Sequence, residues 1–152
     1  MSFPAEASAL DHVMPMLKAG KLAEALPYLE SLTKSAPASA VVLYNLGIVY
    51  SELGQFDEAV IRLKRAVQLD PGYAHAWVGI GTAYHGMRKP DQALEAFERA
   101  VEADPSDGYT RRNLGGMLIG FKRIDEAVVH LRQALQLMPD DPAGHFRSGY
   151  SP

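Results

Sequence analysis

Histidines are the residues of this chain best suited to acid–base or metal chemistry, and their spacing supports neither. His75 and His85 are ten residues apart, which on one helix is about 15 Å, too far for both to bind one metal ion. The chain has no cysteine, and it contains no His-Glu-x-x-His zinc motif and no glycine-rich phosphate loop. We therefore predict no catalytic residue, no metal site and no cofactor. The other histidines are dispersed at His12, His130 and His145.

Charged side chains are numerous, but they do not converge. Glu95, Glu98 and Glu102 alternate with Arg99 at helical spacing, as on a solvated helix face with ion pairs. The basic residues fall on separate segments with no aromatic platform between them, and the formal net charge is −3. Nucleic-acid grooves favour a basic surface. We therefore expect no nucleic-acid partner.

The N-terminal segment lacks the basic start and unbroken apolar run of a secretory signal. No apolar run approaches the roughly 18–20 residues that a membrane span needs. The absence of cysteine agrees with a reducing compartment. We expect a cytoplasmic protein without membrane insertion.

The elements that position these side chains follow a 34-residue period. Pro37, Pro71, Pro105 and Pro139 are each 34 residues apart. Internal repetition of this kind is the signature of a repeat protein. Small residues recur in step with the prolines, so we predict that they pack where helices cross. They are Ala25, Ala59, Ala93 and Ala127; Gly47, Gly81 and Gly115; and Ala66, Ala100 and Ala134.

Each period contains two amphipathic helices. Leu43, Leu46 and Tyr50 share one helical face in the second unit, and the recurrent proline ends each second helix. Aspartates recur where an N-cap is expected, at Asp57, Asp91 and Asp125. The predicted helices are 7–19, 24–36, 41–53, 58–70, 75–87, 92–104, 109–121 and 126–138.

The third unit contains, in order, Trp77, Ile80-Gly81, Tyr84, Ala93, Phe97, Ala100 and Pro105. This order and spacing over residues 77–105 resembles the tetratricopeptide repeat (TPR). The resemblance implies an all-α, right-handed helical solenoid of antiparallel helix pairs, with three clear repeats and one degenerate N-terminal repeat. We expect the solenoid over 1–139, with repeats at about 6–39, 40–73, 74–107 and 108–139, and a tail or partial cap at 140–152.

The two ends of the array depart from the pattern. In the first unit His12-Val13 replaces Leu-Gly, and Pro15 is expected to kink the first helix or delay its start, whereas Pro27 falls near a predicted helix start. At the other end, solenoids normally finish with a capping helix. Three alternatives remain open for the tail: Phe146 docks as a partial cap, the chain is a fragment, or this end pairs with another molecule.

In TPR proteins the first helix of each repeat lines a concave groove that binds peptides or partner helices. The resemblance therefore implies that a ligand groove lies on the first helices of units two to four. The first unit adds weaker candidates at Leu10, Asp11, Met14 and Leu17. The main candidates are Val41, Tyr44, Asn45, Ile48 and Glu52; His75, Val78, Gly79, Thr82 and His85; and Tyr109, Arg112, Asn113, Gly116, Ile119 and Gly120.

Asn45 and Asn113 occupy equivalent positions two repeats apart. An amide can donate to and accept from a peptide backbone, as in the asparagine ladders of some TPR arrays, although Gly79 interrupts this one. The alternative is two polar residues on an exposed face. The cations that a chaperone-type carboxylate clamp requires are mostly missing, so we reject that use of the groove.

Four glycines lie inside predicted helices but outside the periodic glycine position, at Gly79, Gly86, Gly116 and Gly120. Each costs about 1 kcal/mol relative to alanine in a helix interior. They either leave an open floor for a partner or allow tight packing between units three and four.

The function that follows is a non-catalytic scaffold or adaptor, which binds an extended peptide or partner helix in the concave groove. One alternative is a scaffold that assembles as a homo-oligomer, for example through an uncapped C-terminal end. Another is the adaptor portion of a larger enzyme.

Overall fold

The computed structural model of the chain describes residues 2–35 and 39–138. Those residues form eight α-helices and no β-strand. None of the described helices is both long enough and apolar enough to cross a membrane. The helices are α1 (Ser2–Lys18), α2 (Leu22–Ser35), α3 (Ala40–Glu52), α4 (Phe56–Leu69), α5 (Ala74–Gly86), α6 (Pro90–Ala103), α7 (Gly108–Gly120) and α8 (Ile124–Leu137).

The predicted all-α solenoid of helix pairs is confirmed. Each odd-numbered helix packs on the even-numbered helix that follows it, and each pair packs on the next pair. Three-residue turns join the helices within each pair, which makes the two helices antiparallel. From α2 onwards the observed bounds lie within two residues of the predicted ones.

The turn inside each pair is a left-handed C-cap that recurs every 34 residues. Gly20, Gly54, Arg88 and Lys122 have φ values of 77°, 81°, 60° and 61°. In the second unit the Gln55 amide donates to the Tyr50 carbonyl at 2.8 Å. The third and fourth units repeat this bond, so orphan carbonyls at the end of each first helix are satisfied.

This tight turn explains why the predicted N-caps are wrong. The N-caps of α4, α6 and α8 are Gln55, Lys89 and Arg123, and none forms a side-chain capping bond. The C-cap motif leads directly into the next helix, which therefore begins earlier than predicted. The aspartates lie inside the first turn, where a negative charge still interacts favourably with the helix dipole. They are Asp57, Asp91 and Asp125.

The periodic small residues pack between the paired helices, as predicted. A Cβ atom on Gly47 would lie 2.5 Å from Leu63 Cγ, and one on Gly81 would lie 3.0 Å from the Phe97 ring. The periodic alanines are at most 3% exposed. The paired helices can therefore approach closely only where these side chains are small.

The buried apolar side chains of the described residues form two clusters. One runs through the first three units and includes Leu29, Leu46 and Leu63. The other joins units three and four around Phe97 and Leu118. Stability therefore comes from contacts between neighbouring repeats.

The degenerate first unit still forms two helices. Pro15 does not delay α1, which begins at Ser2, and Pro27 lies six residues into α2 rather than near its start. Each proline removes only one backbone hydrogen bond, and both side chains are exposed. The tail, with the expected docking of Phe146, lies outside the described residues, as do Pro37 and Pro139.

Candidate functional site

The central part of the predicted groove is a cleft between α3 and α5, of about 170 Å³. It is referred to below as the α3–α5 cleft. Its apolar side chains are Tyr44, Ile48 and Val78, which project from two helices that pack directly against each other. The remaining lining residues are Ser51, Glu52, His75, Gly79 and Thr82. All of these except Ser51 were predicted to line the groove.

Tyr44 stands at the centre of an aromatic cluster. Its ring centroid lies 5.1 Å from that of Tyr73 and 6.4 Å from that of His75. Burial, with a smaller contribution from the Glu52 carboxylate, raises the pKa of Tyr44. Burial also raises the pKa of Tyr73 to about 12, with smaller contributions from Tyr44 and Asp70. Tyr44 lines the cleft, and its protonated phenol can donate a hydrogen bond there.

Gly79 forms part of the packed wall of the cleft, and the open-floor hypothesis is wrong at this position. A Cβ atom there would lie 3.1 Å from Leu63 Cδ1 and 3.2 Å from Ile48 Cδ1. Gly86 is also packed, because a Cβ atom would lie 2.5 Å from the Phe56 ring. Both glycines therefore permit packing of unit three against unit two, and the alternative of packing between units three and four is wrong for them.

Gly116 and Gly120 are open, in contrast. A Cβ atom on either residue would meet nothing within 4 Å. They border a depression of about 310 Å³ between α5 and α7, which His85, Pro90, Met117 and Phe121 complete. The glycines thus form an exposed floor at one end of the groove and a packed wall at the other.

Two polar groove residues use part of their hydrogen-bonding capacity within their own helix. Asn45 Nδ2 donates to the Val41 carbonyl at 2.9 Å, and the Thr82 hydroxyl donates to the Val78 carbonyl at 2.9 Å. Asn45 keeps its side-chain carbonyl and a second N–H for a ligand. Asn113 is exposed on α7, two units away. The two amides are therefore not brought together in one pocket.

The start of α7 carries the cationic part of the groove. Asp107 caps this helix by accepting a hydrogen bond from the Tyr109 amide at 3.0 Å. The Arg112 guanidinium lies 5.1 Å from the centroid of the Tyr109 ring, an attractive cation–π arrangement. Both side chains lie outside the two depressions described above.

Repeat models agree with this architecture over most of the described chain. The family models that match are described as tetratricopeptide repeat (residues 16–66 and 74–107) and TPR repeat (residues 49–87). Together they cover residues 16–107 without a gap.

The chain belongs to the tetratricopeptide repeat family. Solved TPR-type structures resemble it along most of its length. A crystal structure of MamA is 25% identical, with a TM-score of 0.80, and the match covers 91% of this chain and 81% of that one. MamA from Desulfovibrio magneticus RS-1 is 22% identical, with a TM-score of 0.78, covering 90% and 77%.

YrrB, described as a TPR protein with an unusual peptide-binding site, is 23% identical. Its TM-score is 0.73, and the match covers 90% of this chain and 71% of that one. At this identity the likeness concerns the fold. No curated protein matches the chain by sequence.

The candidates of the first TPR unit have different surroundings. Leu10 and Leu17 are partly buried and pack against the core. Asp11 and Met14 are exposed on α1. The weaker candidates of the first unit therefore divide between core and surface.

Reasoning from the TPR pattern missed several residues that border the groove. Tyr73 precedes α5 in a turn, where a helical pattern assigns no face, and Pro90 is the first residue of a second helix. Met117 and Phe121 were available from the sequence, since they lie one residue beyond Gly116 and Gly120. Among the described residues, no group of three or more His, Asp or Glu side chains is arranged to hold a metal ion.

Proposed function

We propose that the chain is a non-catalytic adaptor that binds an extended peptide or a partner helix along α3, α5 and α7. The observation that carries this proposal is the α3–α5 cleft, where Tyr44, Ile48 and Val78 lie beside polar groups. A lining of apolar and polar groups suits a peptide side chain, because the apolar groups bury it and the polar groups orient it. A protein of the same fold, YrrB, is described as having a peptide-binding site.

The groove offers different chemistry along its length. The α3–α5 cleft takes one apolar side chain, and Glu52 and His75 border it. Ile119 and Tyr109 are 49% and 47% exposed on α7 and add apolar surface near Arg112. We infer that Asn45, Asn113, Arg112 and His85 fix the direction of the bound chain.

The proposal is tested with a peptide selected from a random peptide library on the immobilised protein. T82R projects a charged side chain across the α3–α5 cleft, so the affinity for the peptide falls by about tenfold or more. The matched control Q68R adds the same charge on the exposed surface of α4 and leaves the affinity unchanged. A library that yields no peptide, or a peptide that binds T82R as tightly as the original chain, contradicts the proposal.

A second candidate function is self-association through α8. Ile124, Val128 and Leu135 are 51%, 38% and 54% exposed and share one face of this helix. The equivalent helix α6 has no large apolar side chain that is exposed to this extent. A second copy packing on this face predicts a mass that rises with concentration in sedimentation and falls back to the monomer in L135D. A monomer at all concentrations contradicts it.

A further inference from the structure

The surface of α5 opposite the groove contains another cleft, which is referred to below as the outer cleft. Successive residues of an α-helix are about 100° apart, so Trp77, Ile80 and Tyr84 lie opposite the groove residues Val78 and Thr82. With α4 and α6 they enclose about 260 Å³. The same position recurs at every junction between units, so three equivalent junctions can be compared.

At the first junction an arginine fills this position. Arg62 Nη2 lies 3.3 Å from Glu30 Oε2 and 3.4 Å from Glu58 Oε1. Its guanidinium lies 5.4 Å from the centroid of the Tyr50 ring, and the Tyr50 hydroxyl donates to Glu30. One cation and two carboxylates thus close the junction.

At the third junction the equivalent of Arg62 is His130. Arg111 Nη1 lies 3.2 Å from His130 Nδ1 and 2.5 Å from Gln133 Oε1. Arg123 bridges the units, with its Nη2 atom 2.7 Å from Glu126 Oε2 and 4.0 Å from Glu98 Oε2. Polar side chains therefore fill this junction as well.

At the middle junction the equivalent residue is Ala96, whose methyl group leaves the space open. The two acidic partners have also changed, because Lys64 replaces the equivalent of Glu30 and Gln92 that of Glu58. The cleft therefore lacks equivalents of the Arg62 guanidinium and of both its carboxylate partners. Its floor is Trp77 with Ile80 and Tyr84.

Two cationic side chains, Arg99 and Lys64, lie over the aromatic rings of this floor. The Arg99 guanidinium lies 4.5 Å from the Trp77 ring centroid, and Lys64 Nζ lies 5.4 Å from that of Tyr84. Among the described residues, no carboxylate lies within ion-pair distance of Lys64. Arg99 has only a 3.8 Å contact with the exposed Glu102. Glu95 also lines the cleft, so its lining carries one more positive charge than negative.

We propose that the outer cleft binds a partner polypeptide that inserts an apolar side chain against Trp77 and places a neighbouring carboxylate between Lys64 and Arg99. The aromatic floor supplies burial for the apolar group. The cations supply the pairing that Glu30 and Glu58 provide for Arg62 at the first junction, with the signs exchanged. This site is separate from the groove, so both surfaces can be occupied together.

Trp77 is the single tryptophan of the chain, so its fluorescence and indole N–H resonance report directly on the outer cleft. The probe is the peptide acetyl-Glu-Leu-Glu-amide, compared with acetyl-Gln-Leu-Gln-amide at low salt. The glutamate peptide is expected to produce a saturable change at Trp77 and to bind about tenfold more tightly than the glutamine peptide. Equal binding of the two peptides, or no saturable change, overturns the proposal.

The matched variant copies the first junction into the middle one, as the triple substitution A96R, K64E and Q92E. Because this set of side chains already packs between units one and two, it is expected to fold and to abolish the response of Trp77 to the peptide. K64Q is the second variant, which keeps the cleft and loses most of the preference for the glutamate peptide. An unchanged response of Trp77 to the peptide in either variant overturns the proposal. A change at Trp77 that follows protein concentration alone also overturns it, because a second copy of the chain would then occupy the cleft.

Discussion

Two residues adopt a backbone conformation that their side chains disfavour. Arg88 and Lys122 have φ values of 60° and 61° at the position where Gly20 and Gly54 stand in the first two units. A residue with a Cβ atom in this conformation costs about 1 kcal/mol relative to glycine. The turn between α5 and α6, and that between α7 and α8, therefore carry local strain.

R88G and K122G are each expected to raise the free energy of unfolding by about 0.5–1 kcal/mol, because glycine adopts this conformation without the steric cost. Urea denaturation monitored by circular dichroism measures the change. The reverse substitution, G54A, is expected to lower stability by a similar amount. Equal stability of all three variants and the original chain would contradict this account of the turn.

Glycines at two helical positions should respond to alanine with opposite signs. G116A adds a methyl group that meets no atom within 4 Å, so it gains helix propensity and stabilises the chain by about 0.5–1 kcal/mol. G47A brings a methyl group to 2.5 Å from Leu63 Cγ and destabilises by about 1–3 kcal/mol. Thermal denaturation of the pair measures the difference. If G47A is as stable as G116A, the packing described for Gly47 is incorrect.

His130 links stability to pH. Burial, followed by the positive charge of Arg111, lowers the pKa of His130, and Glu126 and Glu98 oppose this shift weakly. A histidine whose pKa is lower in the folded state contributes full stability above its unfolded pKa of about 6.5 and loses it as the pH falls below that value. Protonation of His130 would also place an N–H donor on Nδ1, facing the Arg111 Nη1 donor 3.2 Å away.

H130Q is therefore expected to lose less stability than the original chain between about pH 7.5 and pH 5.5. Melting temperatures measured across this range test the difference in slope. The same pH dependence in both proteins would show that His130 does not titrate in the way that its surroundings require.

At the scale of the helices, one arginine connects three elements. Arg62 on α4 contacts Glu30 on α2, and its guanidinium lies over Tyr50 on α3. Its side chain is 25% exposed, and Nε is buried without a hydrogen-bond partner. The aliphatic part of such a side chain stabilises by packing, in addition to the charge.

R62A is expected to destabilise the chain by about 1–2 kcal/mol, because it removes both the packing on Tyr50 and the ion pairs with Glu30 and Glu58. R65A is the matched control, since Arg65 is exposed three residues away and bonds only to Gln68 at 3.3 Å. It should change stability by less than about 0.5 kcal/mol. Urea denaturation compares the two, and equal effects would contradict a special role for Arg62.

The helices from α2 onwards were largely predictable because one period fixes their boundaries, whereas α1 begins five residues before its predicted start at residue 7. What the pattern could not supply is the geometry between helices. The pattern grouped Gly79 with Gly116. A Cβ atom on Gly79 would contact Leu63 and Ile48, whereas one on Gly116 would meet no atom within 4 Å. Nor could the pattern single out Arg62 among the basic residues, because the contact with Glu30 joins residues in different units.

Residues that break the family pattern can keep its interactions. Trp77 Nε1 donates to the Pro71 carbonyl at 3.1 Å, and Arg111, at the equivalent position, donates from Nε to the Pro105 carbonyl at 2.8 Å. A sequence pattern scores the arginine as a mismatch. The backbone acceptor is the same in both units, so the hydrogen bond survives the exchange.

For the whole molecule, the stacked pairs present two surfaces with different chemistry. The groove side holds the α3–α5 cleft, with the aromatic contact between Tyr44 and Tyr73, and the open glycine floor of α7. The opposite side holds the outer cleft, with its two cations. Because the two surfaces lie on opposite sides of α5, the stack presents both at once.

Amide chemical-shift mapping is the most direct test of whether the groove side binds peptide. The probe is the library-selected peptide, titrated into the isotopically labelled chain. The largest shifts are expected on α3, α5 and α7, around Tyr44, Val78 and Asn113. Shifts confined to the second helices α4, α6 and α8 would contradict it.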